Sequence, residues 1–138
     1  MDAAADAFTF RPIGVIRTDF KEPADAPRQG ALTPDAKGIV ELDPRLADGL
    51  ATLDEGSHVV LVFAFHRSAG YELQVRTRRS GRIRGLFATR APNRPNPIGL
   101  TVVKLDRVEG SRLHVSGVDM LDGTPLLDIK PHAPDLIP

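Results

Sequence analysis

Apolar residues gather along this chain in short runs, with most of the prolines between them. Phe8 to Arg17 is the first such stretch, a strand that Pro12, lacking an N–H, confines to a sheet edge or a bend. Lys21 to Thr33 is rich in proline, alanine and charge without an apolar period, and reads as a loop. Gly38 to Leu42 is a short strand. Asp43-Pro44 then combines an N-cap with a first-turn proline, and Leu46, Leu50 and Leu53 follow at helical spacing, so one short helix is predicted there. The run VVLVFAF, Val59 to Phe65, is unbroken, β-branched and aromatic, the pattern of a central strand buried on both faces. It stops abruptly at His66-Arg67, which places those side chains at a sheet or barrel rim. Arg84 to Thr89 is another short strand. Leu100 to Glu109 and Arg112 to Val118 flank Gly110-Ser111, a two-residue hairpin signal, and Pro125 to Lys130 closes the set. Some seven short strands with one or two short helices predict a mostly β fold, a small single-domain antiparallel β-barrel.

Length and composition narrow the class. A chain of 138 residues fits one domain that buries roughly two-thirds of its unfolded surface, with no need of a disulfide or metal staple. The absence of cysteine excludes a disulfide framework and a thiolate zinc site. Met1 to Ala7 carries Asp2 and Asp6 and lacks the basic and apolar regions of a signal peptide, and no run approaches the ~20 apolar residues of a membrane span. The expectation is a cytoplasmic protein with one domain over residues 1–138, no additional C-terminal domain, and no membrane or metal partner.

Net charge is zero, but its distribution is uneven. Between His66 and Arg94 there are eight arginines (Arg67, Arg76, Arg78, Arg79, Arg82, Arg84, Arg90 and Arg94) against one acid, Glu72. A basic block in an otherwise acidic chain points to a local anionic partner, or else to an Arg-rich hairpin kept in solution by its charge.

Nucleotide-binding signatures of the common kinds are absent: no G-x-G-x-x-G follows a strand and no G-x-x-x-x-G-K-[ST] occurs. His58 and His66 bracket a single strand and stand too far apart to share an ion within it. The segment Ala88 to Gly99, ATRAPNRPNPIG, fixes φ repeatedly with three prolines while setting Asn93, Arg94 and Asn96 between them. Such a loop loses little entropy on gripping a ligand, and serves equally as a rigid connector.

The runs FATRAPNRPNPIGL and SGVDMLDGTPLLDIKP resemble the signature of the TsaA-like, or TrmO (YaeB), family of S-adenosylmethionine-dependent tRNA methyltransferases. IGVIRTDF, the Pro27-Arg28-Gln29 triplet and Phe65-His66-Arg67 agree with it in order, so the likeness runs from about Ile13 to Pro131. The family's KPY is Lys130-Pro131-His132 here. The resemblance implies a small antiparallel barrel, S-adenosyl-L-methionine as cofactor, a homodimer with ligand sites close to the subunit interface, and tRNA as partner. The implied reaction is methylation of the exocyclic nitrogen of threonylcarbamoyl-adenosine beside the anticodon. Alternatives are a methyltransferase of this type acting on another RNA or a small molecule, or a module that binds the cofactor without turning it over. A plain RNA-binding barrel is opposed by the scarcity of aromatic residues, one Tyr, no Trp and six Phe.

The cofactor-contacting motifs of that family fall on Pro27, Arg28, Gln29, His66, Arg67, Arg90, Leu100, Asp119, Met120, Leu121 and Asp122. Their chemistry suits the ligand. Arg28, Arg67 or Arg90 matches its carboxylate in a charge-assisted pair, Asp119 or Asp122 its ribose hydroxyls or ammonium, and Leu100 its adenine face. His66, or a nearby carboxylate, is the candidate base for the proton that the acceptor nitrogen loses. Arg76, Arg78, Arg79, Arg82, Arg84 and Arg94 are the expected RNA-facing residues.

Overall fold

The computed structural model describes residues 6–27, 33–78 and 80–134. Six strands close into an antiparallel barrel: β1 (Gly14–Arg17), β2 (Lys37–Leu42), β3 (His58–Ala64), β6 (Ile98–Glu109), β7 (Arg112–Ser116) and β8 (Thr124–Pro131). Their order around the barrel is β1-β2-β7-β6-β3-β8, with β8 pairing back onto β1. The short strands β4 (Gln74–Arg76) and β5 (Ile83–Gly85) form a separate antiparallel ribbon.

Alternation fixes which side chains fill the barrel. Along β6, Gly99, Thr101, Val103 and Leu105 point inward and are buried, while Ile98, Leu100, Val102 and Lys104 are exposed. Ile16, Val40, Leu61, Leu113, Val115 and Leu126 complete a core with almost no solvent contact. β3 departs from expectation: Val59, Leu61 and Phe63 are buried, but Val60, Val62 and Ala64 are only half-buried. A barrel strand has one inner face, so an unbroken apolar run leaves its other face on the outside. Gly99 is needed for packing, since a Cβ there would overlap the rings of Phe63 and Phe65.

β6 serves two neighbours, β3 along its first half and β7 along its second, and a bulge between Leu105 and Arg107 turns it. The bulged Asp106 accepts a hydrogen bond from Ser116 and approaches Lys37 Nζ at 3.5 Å, tying β6 to β7 and β2. The β6–β7 hairpin turns at Gly110-Ser111 as predicted.

Other boundaries move. The first strand begins only at Gly14, because Pro12 offers no N–H to a ladder, and Phe8 and Phe10 lie exposed ahead of it. The predicted helix is a 3₁₀ helix, Pro44–Leu50, capped by Asp43 accepting from Arg45 N at 3.0 Å. Asp48 and Gly49 are poor helix formers, and a segment this short has little to gain from the α form. The strand predicted at Arg84 to Thr89 is cut short by a 3₁₀ turn over Leu86–Ala88, within which Leu86 is buried. Among the described residues no helix is long and apolar enough to cross a membrane.

Candidate functional site

Antiparallel pairing puts the C-terminal ends of β1, β3 and β7 and the N-terminal ends of β2, β6 and β8 at one end of the barrel. β1 runs there into Thr18–Glu22, β3 into Phe65-His66-Arg67 and β7 into the loop carrying Asp119 to Asp122, while the proline segment leads into β6. Motifs far apart in the chain therefore meet at a single rim.

Hydrogen bonds knit them together. Thr18 Oγ1 donates to Met120 O at 2.8 Å, and Thr18 N donates to Asp122 Oδ1 at 3.0 Å. Asp122 N donates to Phe20 O at 2.8 Å, and Asp122 Oδ2 pairs with Lys21 Nζ at 2.9 Å. Arg67 donates to Lys21 O at 2.9 Å and to Glu22 Oε2 at 3.2 Å, joining the end of β3 to the same loop. Arg90 donates to Leu100 O at 2.6 Å, and Phe65 N to Pro97 O at 2.8 Å, holding the proline segment against the rim. Thr101 Oγ1, inside the barrel mouth, donates to Asp119 Oδ1 at 2.7 Å.

The loop from β7 to β8 owes its path to Gly117 and Gly123, whose φ values of +94° and +82° lie where a side chain would be strained. Within it Met120 is buried in the core, Leu121 is half-buried and bonds back to Thr124, and Asp119 and Asp122 stand half-buried at the rim. The hydrogen bond from Lys21, with help from Thr18 N–H and the Lys21 and Arg17 charges, holds the Asp122 carboxyl below its ordinary range. Leu100 is 51% exposed on the outer face of β6, opposite Val62. His66 and Arg67 are exposed at the rim, and Pro27 is half-buried. Arg28, Gln29 and Arg79 lie outside the described residues.

The arginine block divides in two. Arg76, Arg78, Arg82 and Arg84 are exposed on the β4–β5 ribbon, where Arg76 also bonds to Gly81 O. Arg94 is half-buried and spends its guanidinium on the carbonyls of Thr89 (3.0 Å) and Ala91 (2.9 Å), bracing the proline segment. Among the described residues no group of three or more His, Asp or Glu side chains could hold a metal ion.

Residues 15–136 match the family model described as the tRNA-methyltransferase O N-terminal domain. The chain belongs to this family. The crystal structure of TrmO from Pseudomonas aeruginosa superposes with a TM-score of 0.80 at 44% identity, covering 95% of this chain and 58% of that one. A probable S-adenosyl-L-methionine-binding protein of Pyrococcus abyssi is 48% identical over 126 residues, 91% of this chain and 68% of the relative. A mouse tRNA (adenine(37)-N6)-methyltransferase is 40% identical over 131 residues, 90% of this chain but 30% of the relative. The chain thus spans a little over half of the TrmO chain and about a third of the mouse protein.

Three rim residues of this TrmO-family domain escape the motif reading. Thr101 had a signal in the sequence: it is the one hydroxyl in the inward row of β6, between Gly99 and Val103. Thr18 falls within IGVIRTDF, but nothing in that run or at Lys21 reveals the partners Met120 and Asp122, about a hundred residues away.

Proposed function

We propose that this domain is an S-adenosyl-L-methionine-dependent methyltransferase that methylates the exocyclic nitrogen of threonylcarbamoyl-adenosine next to the tRNA anticodon. The observation that carries the reading is the convergence at one rim of Arg67, Arg90, Asp119, His66 and the outward Leu100, drawn from four separate segments, with Arg67 held by Lys21 O, Arg90 by Leu100 O and Asp119 by Thr101. The names of the relatives support an S-adenosyl-L-methionine cofactor and, more coarsely, a tRNA adenine as acceptor.

The residues fit the cofactor's chemistry. A ligand with a carboxylate, an ammonium, a ribose diol and a flat base needs cations, a carboxylate and an apolar wall side by side. Arg67 and Arg90 offer the first, Asp119 the second and Leu100 the third. Asp122 is engaged by Lys21 and Thr18 and Asp119 by Thr101, and the carboxylate of either suits the ribose hydroxyls or the ammonium. When bound, S-adenosyl-L-methionine supplies a methyl group already activated by a positively charged sulfur.

The chain's own contribution is then mainly orientation, which in favourable cases is worth roughly 7–11 kcal/mol. Hydrogen bonds that fix Arg67, Arg90 and Asp119 before ligand arrives reduce the ordering still to be done on binding. His66 sits exposed on the same rim as an acceptor for the proton that the substrate nitrogen gives up. The guanidinium groups of Arg76, Arg78, Arg82 and Arg84 on the neighbouring ribbon face solvent and suit RNA phosphates.

The outer faces of β3 and β6 support a homodimer. Val60, Val62 and Ala64 stand beside exposed Val102, Leu100 and Ile98, forming a continuous apolar stripe next to the rim. A second copy seated there would bring a subunit contact up against Leu100, and with it the cofactor site. A tRNA substrate is in keeping with a cytoplasmic location.

Mass spectrometry of tRNA nucleosides from a strain lacking the gene tests the substrate. Unmethylated threonylcarbamoyl-adenosine should replace its methylated form, with restoration by the wild-type gene. An unchanged nucleoside profile would contradict the assignment.

A further inference from the structure

Phe87 is 76% exposed, although its neighbour Leu86 is among the most buried residues of the molecule. The turn that presents it is tightly held. Leu86 N donates to Leu73 O at 2.8 Å, and Thr89 donates to Leu86 O through both its N–H (3.0 Å) and its Oγ1 (2.7 Å). The Arg94 guanidinium lies over the ring, 5.9 Å from its centroid, and is itself fixed by the carbonyls of Thr89 and Ala91. An aromatic side chain is thus held out into water in a set position, backed by a braced cation.

The surroundings indicate what it meets. The turn follows immediately on β5, which carries exposed Arg84, and leads to exposed Arg90 at the rim. An open π face among guanidinium groups has the chemistry of a stacking platform for an unpaired nucleobase, with flanking phosphates held by the cations. A second copy of the chain fits less well, since related copies would bring like-charged arginines together. We infer that Phe87 stacks on an unpaired base of the RNA substrate and positions the strand between the ribbon and the rim. This inference rests on the tRNA reading above and adds to it a base contact where the arginines give only phosphate contacts. A single platform suffices, so the scarcity of aromatic residues is no obstacle.

The test measures binding of an unmodified tRNA transcript across a range of salt concentrations, using the full chain as wild type, Phe87→Ala, Phe87→Trp and Arg78→Ala. Phe87→Ala should weaken binding by roughly five- to a hundredfold without altering the salt slope, because stacking releases no counterions. Its melting temperature and its affinity for S-adenosyl-L-methionine should stay as in wild type. Arg78→Ala should weaken binding and also flatten the slope. Phe87→Trp should bind like wild type, and its fluorescence, from the only tryptophan in the chain, should be quenched by RNA. Wild-type affinity in Phe87→Ala, with tRNA bound by both, would overturn the inference while leaving the tRNA reading in place. Intact RNA binding with a dissociated dimer would reassign the ring to a contact between copies. Failure of the wild-type chain to bind tRNA at all would overturn both.

Discussion

At Asp122 a single residue ties the loop before β8 to the segment after β1, its carboxylate accepting from Thr18 N–H and Lys21 while its N–H donates to Phe20 O. Its pKa is lowered in the folded state, chiefly by the Lys21 hydrogen bond. A lowered carboxylate pKa contributes stability above the unfolded value of about 4, and that contribution fades as pH falls through the folded value. Amide exchange in Thr18–Glu22 should therefore accelerate as pH drops below about 4, and Asp122→Asn should remove the step. A pH-independent exchange rate in wild type, after correction for intrinsic chemistry, would contradict this role. Thr101 is the second telling residue. Replacing its buried hydroxyl by the methyl of Thr101→Val removes its charge-assisted hydrogen bond to Asp119, a loss of about 1.5–3 kcal/mol. Cofactor affinity measured by calorimetry should fall roughly tenfold, and Thr101→Ser should recover most of it. For His66→Ala, single-turnover methyl transfer should slow more than cofactor binding weakens, and an unchanged rate would remove His66 from the chemistry.

β6 shows what an element in this fold must do. It faces the core with small or branched residues, bends at Asp106 to reach a second neighbour, and carries Leu100 and Thr101 to the rim on opposite faces. Gly99→Ala would drive a methyl group into Phe63 and Phe65, and overpacking of this kind costs typically about 1–3 kcal/mol. A corresponding drop in the urea midpoint with unchanged slope is expected. Local pattern is clearest in β7, where buried Leu113 and Val115 alternate with Arg112 and His114. It misled at β3, where outward Val60 and Val62 are as apolar as their inward neighbours. Local pattern also cannot reveal where a ladder ends, so it overextends the first strand and the Arg84 strand. At the rim, the resemblance located Arg67, Arg90, Leu100 and Asp119, whereas the Lys21–Asp122 pair depends on closure of β8 onto β1, which no local pattern encodes.

At the scale of the whole molecule, two surfaces remain unusual for a small barrel: a cationic ribbon and an apolar stripe along β3 and β6. If the stripe is the subunit contact, Val102→Asp should convert a dimer to a monomer in light scattering without unfolding it, since Val102 points away from the core. Between these surfaces lies the rim, where charge of both signs and an exposed leucine meet. Everything else in the functional account requires that this rim hold a sulfonium nucleoside. Calorimetric titration of the purified chain with S-adenosyl-L-methionine tests that requirement directly. Saturable heat with one molecule bound per chain is expected, weakened by Arg67→Ala and by Leu100→Asp. Absence of any heat or thermal shift at millimolar ligand would contradict it.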